Sequence, residues 1–279
     1  MEHKLFDGTR LETAVNRDRG TAVSAAPRSR FNPSPHIAER IEDDEAGQKN
    51  RKCLGGHRNK KTQKENGEME RIYYSLYDRM LSVKNLGSAF RRVKAAKGAK
   101  GVDGQTIGAF EEELQKNLET LERELREKRY QPQPVRRVEI PKASGGKRNL
   151  GIPAVRDRVV QQALLDILQP IFDPHFHPSS YGYRPGRSCH QAITKATMFI
   201  REHGLHWVVD MDLSKCFDTL DHNLILRGLR KRVADGSILN LIRLFLESGV
   251  MTDGSWQASE IGSPQGGVIS PLIANIQIS

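Results

Sequence analysis

The chain has 279 residues, 37% of them hydrophobic and 28% charged, with a net charge of +10 and a pI near 9.6. That size allows one or two domains and a packed core, and a basic balance this large points to a polyanionic partner, nucleic acid first and an acidic membrane surface second. No apolar run is long enough to span a bilayer, MEHKLFDGTR lacks the apolar stretch of a signal peptide, and three cysteines at unrelated spacings (Cys53, Cys189, Cys216) argue against a disulfide framework and fit a reducing cytoplasm.

Residues 1–68 are polar, with scattered Pro, Gly, Ser and charge and no persistent period. They read as a disordered segment. Cys53 and His57 are too few for a zinc site. From residue 69 the pattern changes. YYSLYDRMLSV and LGSAFRRVKAA read as helices, and GAKGVDGQT as a loop. Leu114, Leu118, Leu121 and Leu125 recur at four, three and four, one apolar stripe on a helix over 110–127. The stripe suits this protein's own core better than a partner's coiled coil. Residues 69–135 read as a mostly helical stretch. From 136 onward strands and helices mix.

PVRRVEIPK reads as a strand, SGGKR as a hairpin turn and NLGIP as the return strand. RDRVVQQALLDILQPIF is an amphipathic helix ending near Pro170, and HQAITKATMFIREHG another, stopped by Gly204. LHWVVDMDL alternates like a strand. HNLILRGLRKRV and SILNLIRLFLESG are helices, and GSWQASEIGSPQGG is a hairpin or loop. Ser270 is the expected N-cap of a last helix, with Pro271 at its first position.

Charge is distributed unevenly. Residues 1–70 sum to +2, 71–160 to +9 and 161–279 to −1. The last part nevertheless gathers Asp210, Asp212, Asp218 and Asp221 in one short stretch. Alternation along LHWVVDMDL puts Asp210 and Asp212 on one face of an otherwise apolar strand. Two such carboxylates need a counter-charge. A hard ion such as Mg²⁺ would supply it, and so would a neighbouring Arg or a role as helix caps; spacing alone leaves these open.

The hairpin SGGKRNLGIP places Lys142, Lys147 and Arg148 around a tight turn, suited to a triphosphate or simply to solvent. Gln265 precedes two glycines that let backbone approach a ligand closely. Arg136 and Arg137 on the first strand, and Tyr181, Arg184 and Arg187 in SYGYRPGRS, are candidates for nucleic-acid contact through phosphate pairing and stacking.

Four segments in order, IPKASGGKRNLGIPAVRDRVVQQAL, SYGYRPGRSCHQAI, VVDMDLSKCFDTLDH and GSPQGGVISPLIANI, closely resemble the group II intron-encoded reverse transcriptases, or maturases. NLGSAFRRVKAAKGAKGVDGQT resembles that family's N-terminal extension. The resemblance covers about residues 72–279. It implies an α+β right-hand polymerase fold, with residues 136–279 as fingers and partial palm. It implies RNA-directed DNA polymerisation by two-metal nucleotidyl transfer with two Mg²⁺ ions, and RNA template, intron RNA, DNA primer and dNTPs as partners. Asp212 matches the first catalytic aspartate and metal ligand, and Leu213 would lend its carbonyl. Phe217 matches the residue that excludes a 2′-hydroxyl, Lys142 and Arg148 the triphosphate-binding basics, and Gln265 the glutamine beside the nucleotide's sugar. Asp210 is not a usual ligand, so the resemblance favours Asp212. Asn149 departs from a common proline and Cys216 from a common phenylalanine.

The family's second catalytic element, Tyr-Ala-Asp-Asp, and its thumb and maturase domains would lie beyond Ser279. The expectation from sequence is therefore negligible polymerase activity for this chain alone, with an RNA-binding splicing cofactor or a non-functional remnant as the alternatives.

Overall fold

The structure is a computed structural model and describes residues 71–279 apart from 142–144, 203, 206, 214, 260 and 264–265. The disorder expected of residues 1–68 lies outside the described residues.

The first helix is shorter than the sequence period suggests. Helix α1 spans only Leu76–Met80, because Tyr73 pairs with Val233 instead of joining it: Tyr73 N–H donates to the Arg232 carbonyl at 2.7 Å, and Ala234 N–H to the Tyr73 carbonyl at 3.0 Å. Ser82 caps α2 (Val83–Ala95), its hydroxyl accepting from Asn85 N–H at 3.2 Å. The single helix expected over 110–127 is two, α3 (Ile107–Glu112) and α4 (Leu114–Arg126). Glu113, at φ −112° and ψ 33°, breaks the run. The leucine stripe is as expected: Leu118, Leu121 and Leu125 are buried in the chain's own core.

Strands β1 (Val135–Pro141) and β2 (Lys147–Ile152) form the expected antiparallel hairpin, in register from Arg136 opposite Ile152 to Pro141 opposite Lys147. Parity therefore places Arg137 and Gly151 on one face, and Arg136, Val138, Arg148 and Leu150 on the other. Helix α5 (Val155–Phe172) continues through Pro170; so near the C-terminus, the missing N–H costs one hydrogen bond of the last turn. The next helices are α6 (Cys189–Glu202), α7 (His222–Arg230) and α8 (Gly236–Glu247). Strands β3 (Val250–Thr252) and β4 (Ser255–Gln257) close a tight hairpin. Asp253 and Gly254 both have positive φ (48° and 81°), the primed turn that two-residue hairpins require. β3 pairs with β1 in parallel, giving a sheet of order β2-β1-β3-β4.

Helix α9 (Ser270–Ile278) begins at Ser270 itself, so Ser270 is its first residue and not its cap. The Ser270 hydroxyl instead accepts from the buried Ser263 hydroxyl at 2.8 Å.

The core is built around α5. Val159, Val160, Leu164 and Leu168 are fully buried and meet Leu86, Ala89, Phe90 and Val93 of α2. Burial of such side chains contributes about 1.5–3 kcal/mol each. At the N-terminus of α5, Asp157 is buried, accepting from Tyr130 Oη at 2.5 Å and Gln133 N–H at 2.9 Å. Burial pushes its carboxyl up to about 6 although both hydrogen bonds favour the charged form.

The strand expected over LHWVVDMDL is not formed. Residues 207–213 pair with no described strand, and Val209 and Met211 are 80% and 86% exposed. Alternation divides side chains between faces, but a strand also needs a neighbour for its N–H and C=O groups. Helix α6 forms as expected yet buries none of its residues.

Candidate functional site

Asp212 and Leu213 lie at the end of this exposed stretch. The chain then turns sharply. Lys215 takes left-handed backbone (φ 50°), and Cys216–Thr219 make one 3-10 turn closed by Asp218 N–H on the Lys215 carbonyl at 2.8 Å. Phe217 packs partly against the core. Asp221 caps α7, accepting from Asn223 and Leu224 N–H at 2.7 and 2.9 Å. Asp210 and Asp212 therefore do not cap this helix, and neither forms an ion pair among the described residues. Neither a capping role nor an arginine partner accounts for the pair, and the exposed carboxylates stay available.

The glycine-rich loop is locked to this turn by backbone. Gly262 N–H donates to the Leu220 carbonyl and Ser263 N–H to the Phe217 carbonyl, each at 2.8 Å. His222 Nε2 donates to the Gly262 carbonyl at 2.7 Å. Farther along, Val268 N–H donates to Gln161 Oε1 of α5 at 2.7 Å. Gly266 has φ 111°, and a Cβ there would stand 2.2 Å from the Gly151 carbonyl oxygen of β2. The turn after Asp212, the glycine loop, β2 and α5 are thus held as one frame. Gln265 lies outside the described residues, but Ser263 and Gly266 on either side of it belong to this frame.

On the hairpin, Arg148 is exposed opposite Ile140, and Lys147 pairs with Glu139 at 2.5 Å. An ion pair this exposed adds little stability. Lys142 lies outside the described residues. Arg136 ties β1 to the loop before α3, its Nε and Nη2 donating to the Lys100 carbonyl at 3.2 and 2.8 Å. The Arg137 side chain, on the opposite face, forms no hydrogen bond or ion pair among the described residues.

Arg184 requires a correction. Its side chain is only 5% exposed, and all five N–H donors are engaged. Nε and Nη2 reach the Asp173 carboxylate (2.8 and 3.3 Å), Nη2 also the Asp173 carbonyl (2.7 Å), and Nη1 the His177 and Ser180 carbonyls (3.1 and 3.0 Å). It clamps its own loop and has no donor left for nucleic acid. Arg187 remains exposed, its guanidinium carbon 5.4 Å from the centroid of the Tyr181 ring, a cation-π contact within the chain.

Sequence reasoning misses Gln161, His222 and Arg158. The signal for Gln161 is an amide within the buried run VVQQAL. For Arg158 it is the glycine spacing of KGAKG. Its Nη2 donates to the Ala99 carbonyl at 2.6 Å, and a Cβ on Gly98 would lie 2.0 Å from Nη1.

Residues 140–279 match the family described as reverse transcriptase (RNA-dependent DNA polymerase). Protein YkfC of Escherichia coli (strain K12) is 42% identical over 199 residues, which span 70% of this chain and 52% of that protein. Group II intron-encoded protein LtrA of Lactococcus lactis subsp. cremoris is 34% identical over 213 residues, 75% of this chain and 35% of that protein. The chain thus spans about half or less of the length of these relatives. Among solved structures, a chain of a partial Cas6-RT-Cas1--Cas2 complex is similar over 73% of this chain and 34% of its own length, at 23% identity and a TM-score of 0.48. The family match over half the chain, together with the intron-encoded relatives, shows that the chain belongs to the reverse transcriptase (RNA-dependent DNA polymerase) family, in its group II intron-encoded reverse transcriptase/maturase branch.

Proposed function

We propose that this protein works as an RNA-directed DNA polymerase of the group II intron kind, with residues 69–135 as N-terminal extension and fingers and residues 136–279 as fingers and partial palm. The observation that carries the reading is the backbone frame. It joins the turn after Asp212, the glycine loop and β2, which are far apart in sequence and are the segments a polymerase needs around one nucleotide.

In this reading Phe217, fixed by its carbonyl's bond to Ser263 and by core packing, forms the wall against a 2′-hydroxyl. Lys142 and Arg148 meet the triphosphate, and Gln265 the sugar. Asp212 supplies a carboxylate and Leu213 a main-chain oxygen, hard donors of the kind Mg²⁺ prefers. When bound, the ions supply charge neutralisation at the transferring phosphoryl group. Among the described residues no three metal-binding side chains gather, so Asp212 and Leu213 are part of a donor set and not all of it. Polymerisation is expected only where further carboxylates reach Asp212.

The template is RNA, the intron's own transcript included, with a DNA primer and dNTPs. The +9 charge of residues 71–160 serves RNA backbone contact, with Arg137, Tyr181 and Arg187 among the contacts. No helix among the described residues is long and apolar enough to cross a membrane. Free thiols at Cys189 and Cys216 support a reducing compartment, which we take to be the cytoplasm.

Primer extension on poly(rA)/oligo(dT) with Mg²⁺ tests the reading. With the further carboxylates supplied, incorporation should be lost with Asp212→Asn, and incorporation that survives this change would overturn the assignment of Asp212; the chain alone should incorporate nothing.

A further inference from the structure

Arg137 stands out among the basic residues. It is half-buried on the β1 face it shares with Gly151, and its guanidinium meets no protein acceptor among the described residues. Partly exposed and without a protein acceptor, it is placed to meet a ligand's acceptor oxygens and negative charge. Arg137 lines a cavity of about 200 Å³, together with Asp218, Gln257, Ser259, Gly262 and Ser263. Asp218 belongs to the turn that carries Phe217, and Gly262 and Ser263 are the loop residues bonded to that turn. The cavity therefore backs directly onto the frame of the candidate site. Arg137 and Asp218 line it without forming an ion pair.

The lining restricts the ligand. A lone anion would meet an acidic residue, Asp218, in the wall, and a lone cation would meet Arg137. A ligand that fits both carries acceptor oxygens with negative charge and, close by, a hydroxyl donor. A ribose-phosphate unit has both; a deoxyribose-phosphate unit within a strand lacks the donor. We propose that this cavity binds one ribose-phosphate unit, with the phosphate on Arg137 and the 2′-hydroxyl donating to Asp218. The proposal rests on the nucleic-acid reading above and extends it: Asp218 becomes the residue by which the protein distinguishes RNA from DNA. An RNA strand is the favoured source, because β1 lies in the basic stretch of residues 71–160 that would follow a strand's backbone. A free ribonucleotide offers the same chemistry.

Fluorescence anisotropy on the full chain, with labelled RNA and DNA single strands of one sequence at several salt concentrations, separates these cases. Arg137→Gln should weaken both strands and reduce the slope of log affinity against log salt by about 0.7, one phosphate contact on a single strand. Arg137→Lys should restore most of that slope. Asp218→Ala should weaken RNA by about fivefold, the worth of one hydrogen bond, and leave DNA unchanged. Both side chains lie outside the buried core, and thermal melts should confirm that the variants fold. An RNA-to-DNA preference unmoved by Asp218→Ala, or a slope unmoved by Arg137→Gln, rejects the cavity while wild-type RNA binding stands. Wild-type protein that binds no RNA rejects the nucleic-acid reading and the cavity together. Competition by AMP but not dAMP, abolished by Asp218→Ala while strand binding is untouched, overturns the strand and assigns the cavity to a free nucleotide.

Discussion

Gly262→Ala would strike the frame where the glycine loop meets the turn after Asp212. Gly262 has φ +90°, a region that side chains with a Cβ rarely enter, and it lies against the turn after Asp212. An added Cβ would meet the Asp218 carbonyl oxygen at 2.8 Å and the Asp218 Cα at 3.0 Å. Both are backbone atoms and cannot swing away as a side chain end would. Two penalties follow: backbone strain of about 1–3 kcal/mol and overpacking of about 1–3 kcal/mol. Relief would need the loop to withdraw, breaking the Gly262–Leu220 and Ser263–Phe217 hydrogen bonds. We expect a loss of roughly 3–4 kcal/mol in urea denaturation and, at ~2–4 °C per kcal/mol for a chain this size, a Tm roughly 10 °C lower. Gly87→Ala is the control of opposite sign. Gly87 sits inside α2, and an added Cβ would meet Leu118 Cδ1 at 3.5 Å, an ordinary contact. Alanine there should stabilise by about 0.5–1 kcal/mol through helix propensity and reduced unfolded-state entropy. A Gly262→Ala variant as stable as the parent would refute the packing on which the frame rests, and a Gly87→Ala variant less stable would refute the open packing of α2 against Leu118.

Asp157 makes stability depend on pH in an unusual direction. Its carboxyl titrates near 6 in the folded chain, against an ordinary 3.8. The folded state therefore holds the proton more tightly than the unfolded state. This group's contribution is greatest below about pH 4 and is lost as pH rises through 6, by roughly 3 kcal/mol in all. Urea midpoints of Asp157→Asn should lack that component between pH 4 and 6; profiles parallel to the parent's would reject it. Arg184→Ala should cost about 3–5 kcal/mol, since it leaves the half-buried Asp173 carboxylate without its cation. It should nonetheless leave the salt slope of RNA binding unchanged, whereas Arg187→Ala should lower that slope. A lower slope with Arg184→Ala would restore Arg184 as a nucleic-acid contact.

Much of this architecture is legible from local rules. The β1–β2 hairpin follows from alternation on either side of SGGKR, and the leucine stripe identifies the buried face of α4 from spacing alone. The division of Arg136 from Arg137 is not legible, because RR reads as one basic patch until the register assigns each to a face. Arg184 misleads for a related reason. An arginine among Tyr, Gly and Pro looks available to a ligand, and only the fold shows Asp173 and two carbonyls converging on it. Gly266 reads in sequence as room for a ligand, whereas its closest approach is to the Gly151 carbonyl of the protein itself.

The same contrast explains the stretch from Trp207 to Leu213. Its alternation is more regular than that of β1, yet only β1 is a strand. Of the two requirements for a strand, side-chain segregation is written within the segment and ladder partners are not. β1 finds β2 locally through a hairpin and β3 through a distant pairing. Residues 207–213 find neither among the described residues, so Trp207, Val208, Val209, Met211 and Leu213 remain in water. An apolar, unpaired run of this kind is a template for another strand. What fixes Asp212 in place is thus the turn behind it, residues 215–220, bonded to Gly262 and Ser263. The frame sets where the carboxylate's chain emerges, and pairing along 207–213 would set where the carboxylate points.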